Sequence, residues 1–251
     1  FENRRLRHWH RRCSATAALN QLYRGQAVPV EQSATNTNTQ RFTGYLADTR
    51  ESRRIHYRIR YQVYCERKGF EDNAVLRKRG LERDAYDGHA VPFIFHDEHE
   101  GRWRGTARLV VRGSQPLPVE MTSALPSGYC EGYKPGTLGE VSRLASVSPA
   151  TCTGRERWAL LISTLGSVLT CAYDFGLRDV LFLVTPGLAR IVSKLDIPMA
   201  PIGRAVQHRG RRQAFISPVS EALDSVRQAG ADEGYKLYSA REERGTRKML
   251  A

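Results

Sequence analysis

No C-x-x-C pair occurs in this chain. Its five cysteines, Cys13, Cys65, Cys130, Cys152 and Cys171, are odd in number and widely scattered. That pattern excludes a zinc ribbon or a redox dithiol, so they are read as reduced thiols, and none stands out as a nucleophile. No run is long and apolar enough to cross a bilayer, which needs about 20 predominantly apolar residues. The nearest candidate, residues 158–176, is interrupted by Ser163, Thr164, Gly166, Ser167 and Thr170 and closes on Asp174, so it reads as a buried helix. No apolar secretory segment follows the basic start and no internal repeat is visible, which predicts a cytoplasmic protein. Acidic side chains are scarce, with 26 Asp and Glu against 39 Lys and Arg, a net charge of +13.

What remains is an ordinary folded composition. With 251 residues, 41% hydrophobic and 26% charged, the chain has enough apolar surface for one α/β domain with a substantial core. The cationic excess predicts a polyanionic or acidic partner: nucleic acid, anionic lipid or an acidic carrier protein. The densest basic runs are residues 4–12 (RRLRHWHRR) and 208–212 (HRGRR). Nucleic-acid binding rests on the net charge alone, because neither a basic stripe interleaved with exposed aromatics nor a recognition helix is legible, and no nucleic-acid partner is expected.

Residues 1–41 read as a basic helical and loop extension and residues 42–251 as the organised domain. Residues 50–68 place Ile55, Ile59 and Val63 with Tyr57, Tyr61 and Tyr64 at helical spacings, beneath an arginine-rich outer face. Residues 89–111 are two apolar runs joined by a polar turn ending on Gly101, a β-hairpin whose His89, His96 and His99 read as a charged tip rather than metal ligands. Residues 113–136 form an irregular, proline-punctuated stretch. A strand over 138–149, a helix over 155–175 stopped by Gly176, a buried strand over 178–186, a short helix over 186–197 and a hairpin over 201–220 follow. That order predicts a mixed central sheet flanked by helices, an α/β (α+β) fold.

Like charges as close as Glu82, Asp84 and Asp87 repel unless cations answer them. The cluster is therefore either fully solvated or held by something, and four patterns come in a fixed order: Arg60-x-x-Val63-Tyr64 with Phe70 soon after; Glu82-x-Asp84-x-Tyr86-Asp87; Gly105-Thr106-Ala107-Arg108-Leu109; and Glu140-x-Ser142-Arg143-Leu144. This ordered set, over residues 50–215, resembles the acyl-homoserine-lactone (autoinducer) synthases. It is still more similar to the N-acyl amino acid synthases and the acyltransferases associated with exosortase/PEP-CTERM systems, all of the GNAT superfamily.

The resemblance implies a GNAT-like domain whose central strands splay to admit a pantetheine arm, with backbone N–H groups at the bulge stabilising the oxyanion. It implies an ion-pair network in which Arg60, Arg108 and Arg143 face Glu82, Asp84, Asp87 and Glu140, with Tyr64 and Phe70 beside the acceptor and Asp84 and Asp87 charged to receive its amino group. Glu140 would be the general base, with Arg143 beside it. Ser142 either hydrogen-bonds the reacting groups or simply packs. Members that use coenzyme A usually carry a Gly-rich loop after the 138–149 strand. Residues 148–158 (SPATCTGRERW) lack it, so the implied donor is the acyl-phosphopantetheine of acyl carrier protein, docked by Arg155, Arg157, Arg209, Arg211 and Arg212. No permanently bound cofactor and no metal are implied, and a fatty product would bring peripheral contact with lipid. The implied reaction moves a long-chain acyl group to the α-amino group of an amino acid. A lactone-type synthase using S-adenosylmethionine is the alternative; its conserved tryptophan position falls at Phe70 here.

Overall fold

The computed structural model describes residues 41–71, 73–122, 124–230 and 237–239. The basic run at 4–12, the rest of the expected N-terminal extension through residue 40, and Cys13 lie outside them.

Helix α1 (Arg50–Tyr61) begins at Thr49, whose hydroxyl accepts the Ser52 N–H at 3.0 Å while the Ser52 hydroxyl accepts the Thr49 N–H at 3.0 Å. This reciprocal cap satisfies donors that the first helical turn leaves free. The helix buries Ser52, His56, Tyr57, Ile59 and Arg60 and exposes Arg50, Arg54 and Arg58, so the expected arginine-rich face is present but Arg60 turns inward. It runs on as a wider π turn over Gln62–Arg67, which carries Tyr64.

Eight strands form one mixed sheet: β1 (Phe42–Leu46), β2 (Val91–Asp97), β3 (Arg102–Val111), β4 (Leu138–Ser146), β5 (Asp179–Val184), β6 (Ala200–Gln207), β7 (Arg211–Pro218) and the short β8 (Leu237–Ser239). Their order is β6-β7-β5-β4-β3-β2-β1-β8, with β4/β5 and β1/β8 parallel and the other pairs antiparallel. Helices α3 (Gly154–Asp174) and α5 (Val219–Ala229) cover one face, packing Leu165, Val168, Leu169, Leu223 and Val226 with Phe93, Phe95, Leu109 and Val141. Each such side chain contributes about 1.5–3 kcal/mol by leaving water. The other face carries α1 over Ile94 and Tyr45, and the irregular 113–136 stretch over Val110, Leu138 and Leu181. Gly203 permits the last contact: it sits at φ +60°, and a Cβ there would lie 2.5 Å from the Ala124 carbonyl oxygen. Helices α2 (Ala74–Arg79) and α4 (Pro186–Val192) are the remaining α-helices among the described residues.

The hairpin, the two central strands, the long helix and the basic hairpin fall where the sequence places them. Strands β1 and β8 and helix α5 are additions. The histidines need correcting, because only His99 lies on the hairpin tip. His96 packs against Trp103 with centroids 4.8 Å apart, and His89 precedes β2 at its far end, 5.6 Å from Tyr86. Among the described residues no His, Cys, Asp and Glu cluster could hold a metal ion, and no helix is long and apolar enough to cross a membrane.

Candidate active site

Strand alternation and one bulge build the site. From Thr106 onward in β3 and before the bulge in β4, even-numbered residues face the α1 side, so Thr106, Arg108, Glu140 and Ser142 share a side while Ala107, Leu109 and Val141 enter the core beneath α3. Opposite Ala107, β4 holds two residues, Arg143 and Leu144, with Arg143 at φ 52°. The left-handed residue marks a β-bulge and lets Ser142 and Arg143, neighbours in sequence, serve the same face. Beside the bulge the sheet parts. Strand β5 pairs with β4 only from Leu138↔Asp179 to Val141↔Phe182; beyond that, Leu183 and Val184 keep β7 and lose β4. The expected splay is therefore present.

Above the bulge the three arginines meet three carboxylates. Arg60 donates from Nε to Glu82 and from Nη1 to Asp87 Oδ1 at 2.6 Å. Arg108 donates from Nη1 to Asp84 Oδ1 at 2.6 Å and Asp87 Oδ1 at 3.0 Å, and from Nε to the Ser142 hydroxyl at 3.3 Å. Arg143 Nη2 reaches Asp84 Oδ2 at 2.7 Å and Glu82 Oε1 at 3.2 Å. Burial alone would raise the Asp87 carboxyl, but Arg60 and Arg108 outweigh it and hold it well below the usual range; Asp84 is lowered in the same way by Arg108 and Arg143. Asp87 is buried and also accepts the Asp84 N–H at 2.8 Å. Its charge is thus spent within the network rather than turned toward an acceptor.

His56 belongs to this network, although the sequence reading passed over it. Its Nδ1 lies 3.0 Å from the Phe93 carbonyl oxygen and beside the Thr106 hydroxyl, and its Nε2 lies 3.1 Å from Arg60 Nη1. These partners assign an Nδ1–H tautomer whose Nε2 accepts from Arg60. Burial, reinforced by Arg60, pushes the imidazole well below its ordinary value and keeps it neutral.

Glu140 stands outside the expected network. Among the described residues it forms no ion pair with any arginine and its Oε1 meets no hydrogen-bond donor, while Oε2 accepts the Val119 N–H at 2.7 Å. Burial pushes its carboxyl up to about 7, against the pull of the Val119 N–H, Arg108 and Arg143. A carboxyl so placed changes hands with a proton near neutrality. By contrast, burial raises the Cys65 thiol, pushes Cys130 up to about 12 and holds Cys171 well above its ordinary value, so none is a ready nucleophile.

Glu140, Ser142, Arg143 and Tyr64 line a cavity of about 110 Å³ in the gap between β4 and β5. Its far wall is apolar, from Leu165, Phe182, Leu188, Val192 and Met199. Tyr64 donates to the Leu144 carbonyl at 3.0 Å and stacks on Phe70, 6.3 Å between centroids. The five arginines expected to dock a carrier divide: Arg155 and Arg157 are exposed at the start of α3 and Arg211 is exposed on β7, whereas Arg209 and Arg212 are half-buried in the cavity wall.

Residues 59–148 match the family model described as acetyltransferase (GNAT) domain. No curated protein matches the chain. Several solved structures share its fold, among them the following three. The CoA-dependent acyl-homoserine lactone synthase BjaI, with SAM and isopentyl-CoA, superposes with TM-score 0.60 at 16% identity, covering 74% of this chain and 84% of its own. The CoA-dependent acyl-homoserine lactone synthase MesI gives 0.58 at 21%, covering 77% and 98%. FeeM, an N-acyl amino acid synthase from uncultured soil microbes, gives 0.55 at 21%, covering 77% and 99%. A mixed sheet that parts at a bulge, a matching stretch from the end of α1 through β4 and these three superpositions agree on the fold: the described residues form a single GNAT-like domain, a mixed sheet flanked by helices.

Proposed function

We propose that the protein is an N-acyltransferase that moves a long-chain acyl group from the phosphopantetheine of acyl carrier protein to the α-amino group of an amino acid. The observation that carries this reading is Glu140, a buried carboxyl brought to about 7 and opening on the gap between two parted parallel strands. The acceptor's ammonium loses one proton to Glu140, and its lone pair attacks the thioester carbonyl carbon. The tetrahedral adduct collapses with cleavage of the C–S bond, and the second proton lost from nitrogen leaves on the carrier thiol. The apolar wall formed by Leu165, Leu188 and Val192 takes the start of the chain. Tyr64 and Phe70 flank the acceptor side, and the three-arginine network holds Ser142 and the bulge in place. Likeness to the N-acyl amino acid synthases and exosortase-associated acyltransferases belongs to this proposal, as does action in the cytoplasm.

Carrier protein is favoured over coenzyme A by the start of α3. A coenzyme's pyrophosphate needs free N–H groups at a helix N-terminus. Here the chain caps itself: the Thr153 hydroxyl accepts the Glu156 N–H at 3.2 Å, and Glu156 accepts the Thr153 N–H at 2.7 Å. That hydrogen bond, with Arg41, holds the Glu156 carboxyl down to about 2, so the position carries a negative charge of its own. Arg155 and Arg157 beside it suit an acidic helical partner.

Incubation with long-chain acyl carrier protein and mixed amino acids should release free carrier thiol and an acyl amide; failure to turn over any acceptor overturns the reading. The likeness to BjaI, whose structure holds SAM and isopentyl-CoA, supports a second reading with those substrates. Release of methylthioadenosine would identify it.

A further inference from the structure

Among the described residues, one cation in the cavity wall has no counter-charge. Arg212, on β7, donates from Nη1 to the Leu183 carbonyl at 3.3 Å and lies over Phe70, 5.9 Å from the ring centroid. Its Nε is buried and has no acceptor, and no carboxylate among the described residues pairs with it. Its neighbours are differently placed. Arg143 is taken by Glu82 and Asp84, and Arg209 by Glu71. His208 is lowered by burial and by Arg212 and stays neutral. Burial and the nearby Arg143 depress Arg212 itself, with Tyr64 opposing, as expected of a guanidinium that would be relieved by an anion. A half-buried charge left this way is costly unless a ligand completes it.

We propose that Arg212 is the anion-binding residue of the acceptor site and takes the carboxylate of the acceptor amino acid. The proposal rests on the acyl-transfer reading above. A zwitterionic α-amino acid presents an ammonium and a carboxylate on one carbon, and the cavity offers one separate group for each: the Glu140 carboxyl for the amine and the Arg212 fork for the carboxylate. The wall that holds Arg212 includes Tyr64, and Phe70 packs against both, whereas the exposed Arg155 and Arg157 stand at the start of α3. The same fork could in chemical terms hold a phosphate oxygen of the donor's pantetheine arm, and the test separates the two.

Binding of N-dodecanoyl-glycine, N-dodecanoyl-leucine and N-dodecanoyl-phenylalanine, each as free acid and as primary amide, is measured by titration calorimetry on the full chain. The wild type should prefer the acids by about 10–100-fold, the range of a charge-assisted hydrogen bond. Arg212→Gln should abolish that preference; Arg212→Met, which keeps an apolar stem against Phe70, is the second variant should the first not fold. Arg190→Gln, which removes an exposed charge on α4, should retain it. Equal binding of acid and amide by the wild type, no binding of either, or a preference that survives both Arg212 variants overturns the proposal. So does an Arg212-dependent preference for dodecanoyl-phosphopantetheine over dodecanoyl-pantetheine, which would give the anion to the donor. Turnover indifferent to Arg212 would leave acyl transfer standing without this site. An Arg212-dependent acid preference without turnover would leave the site and remove the reaction.

Discussion

Two groups of buried charge lie side by side on the same face of the sheet and are treated in opposite ways. In the network, Arg60, Arg108 and Arg143 share Glu82, Asp84 and Asp87, each guanidinium reaching at least two carboxylates, and Asp84 and Asp87 are held ionised. In the cavity wall, Glu140 and Arg212 have no ionic partner among the described residues, and each is displaced toward its neutral form by burial. The first arrangement fixes geometry; the second leaves groups available to a ligand. Proximity in sequence does not separate them, since Glu140 and Arg143 are three residues apart.

The sharpest way to test the contrast is Glu140→Gln, which should lower turnover by about two to four orders of magnitude while the protein still unfolds cooperatively. Arg60→Ala should do the reverse. Stranding Glu82 and Asp87 without their partner costs about 3–5 kcal/mol in urea unfolding, and activity falls because the fold fails. Arg143→Ala, with its side chain 13% exposed, should cost less, about 1–3 kcal/mol.

The pH dependence of stability distinguishes the groups by sign. Glu140 is raised from 4.5 to about 7, so the folded protein holds that proton more tightly than the unfolded chain. Its contribution is full below pH 4.5 and is lost as the pH rises through 7, a fall of roughly 3 kcal/mol relative to Glu140→Gln. Asp87 runs the other way: its contribution is present above the ordinary carboxylate range and is lost only in acid, so Asp87→Asn should lose its effect at low pH. His56→Gln is the smallest case, at about 1–2 kcal/mol for the lost Arg60 acceptor. Because the imidazole is buried neutral, the wild type should lose ground to this variant as the pH falls below 6.5. Parallel profiles for Glu140→Gln and Asp87→Asn would erase the distinction.

Much of this was legible from residue patterns. Three arginines in three segments were set against three carboxylates in six residues only through the resemblance to the synthases, and the structure brings them together. The sequence could not say that Glu140 stays out of the network, because that depends on the Val119 N–H, delivered by a loop with no periodic signal. His56 was hidden for the opposite reason: on an amphipathic helix it occupies an inward position that any apolar residue could fill, and only the Phe93 carbonyl and Arg60 make it polar. Helix α5 did carry a signal, Val219, Ala222, Leu223 and Val226 at helical spacing, but it follows directly on a strand with no polar break. Strand β1 is five residues with a glycine at its centre, where α3 approaches so closely that a Cβ would meet the Ser167 hydroxyl at 2.5 Å.

The left-handed residue at position 143 makes the spacing of this segment intolerant of length change. Removing one residue between Ser142 and Ala145 would restore strict alternation and swing the guanidinium through the sheet into the hydrocarbon layer under α3. Adding one would detach Leu144 from Tyr64. Substitution can tune this stretch of chain, but an insertion or deletion there would dismantle it.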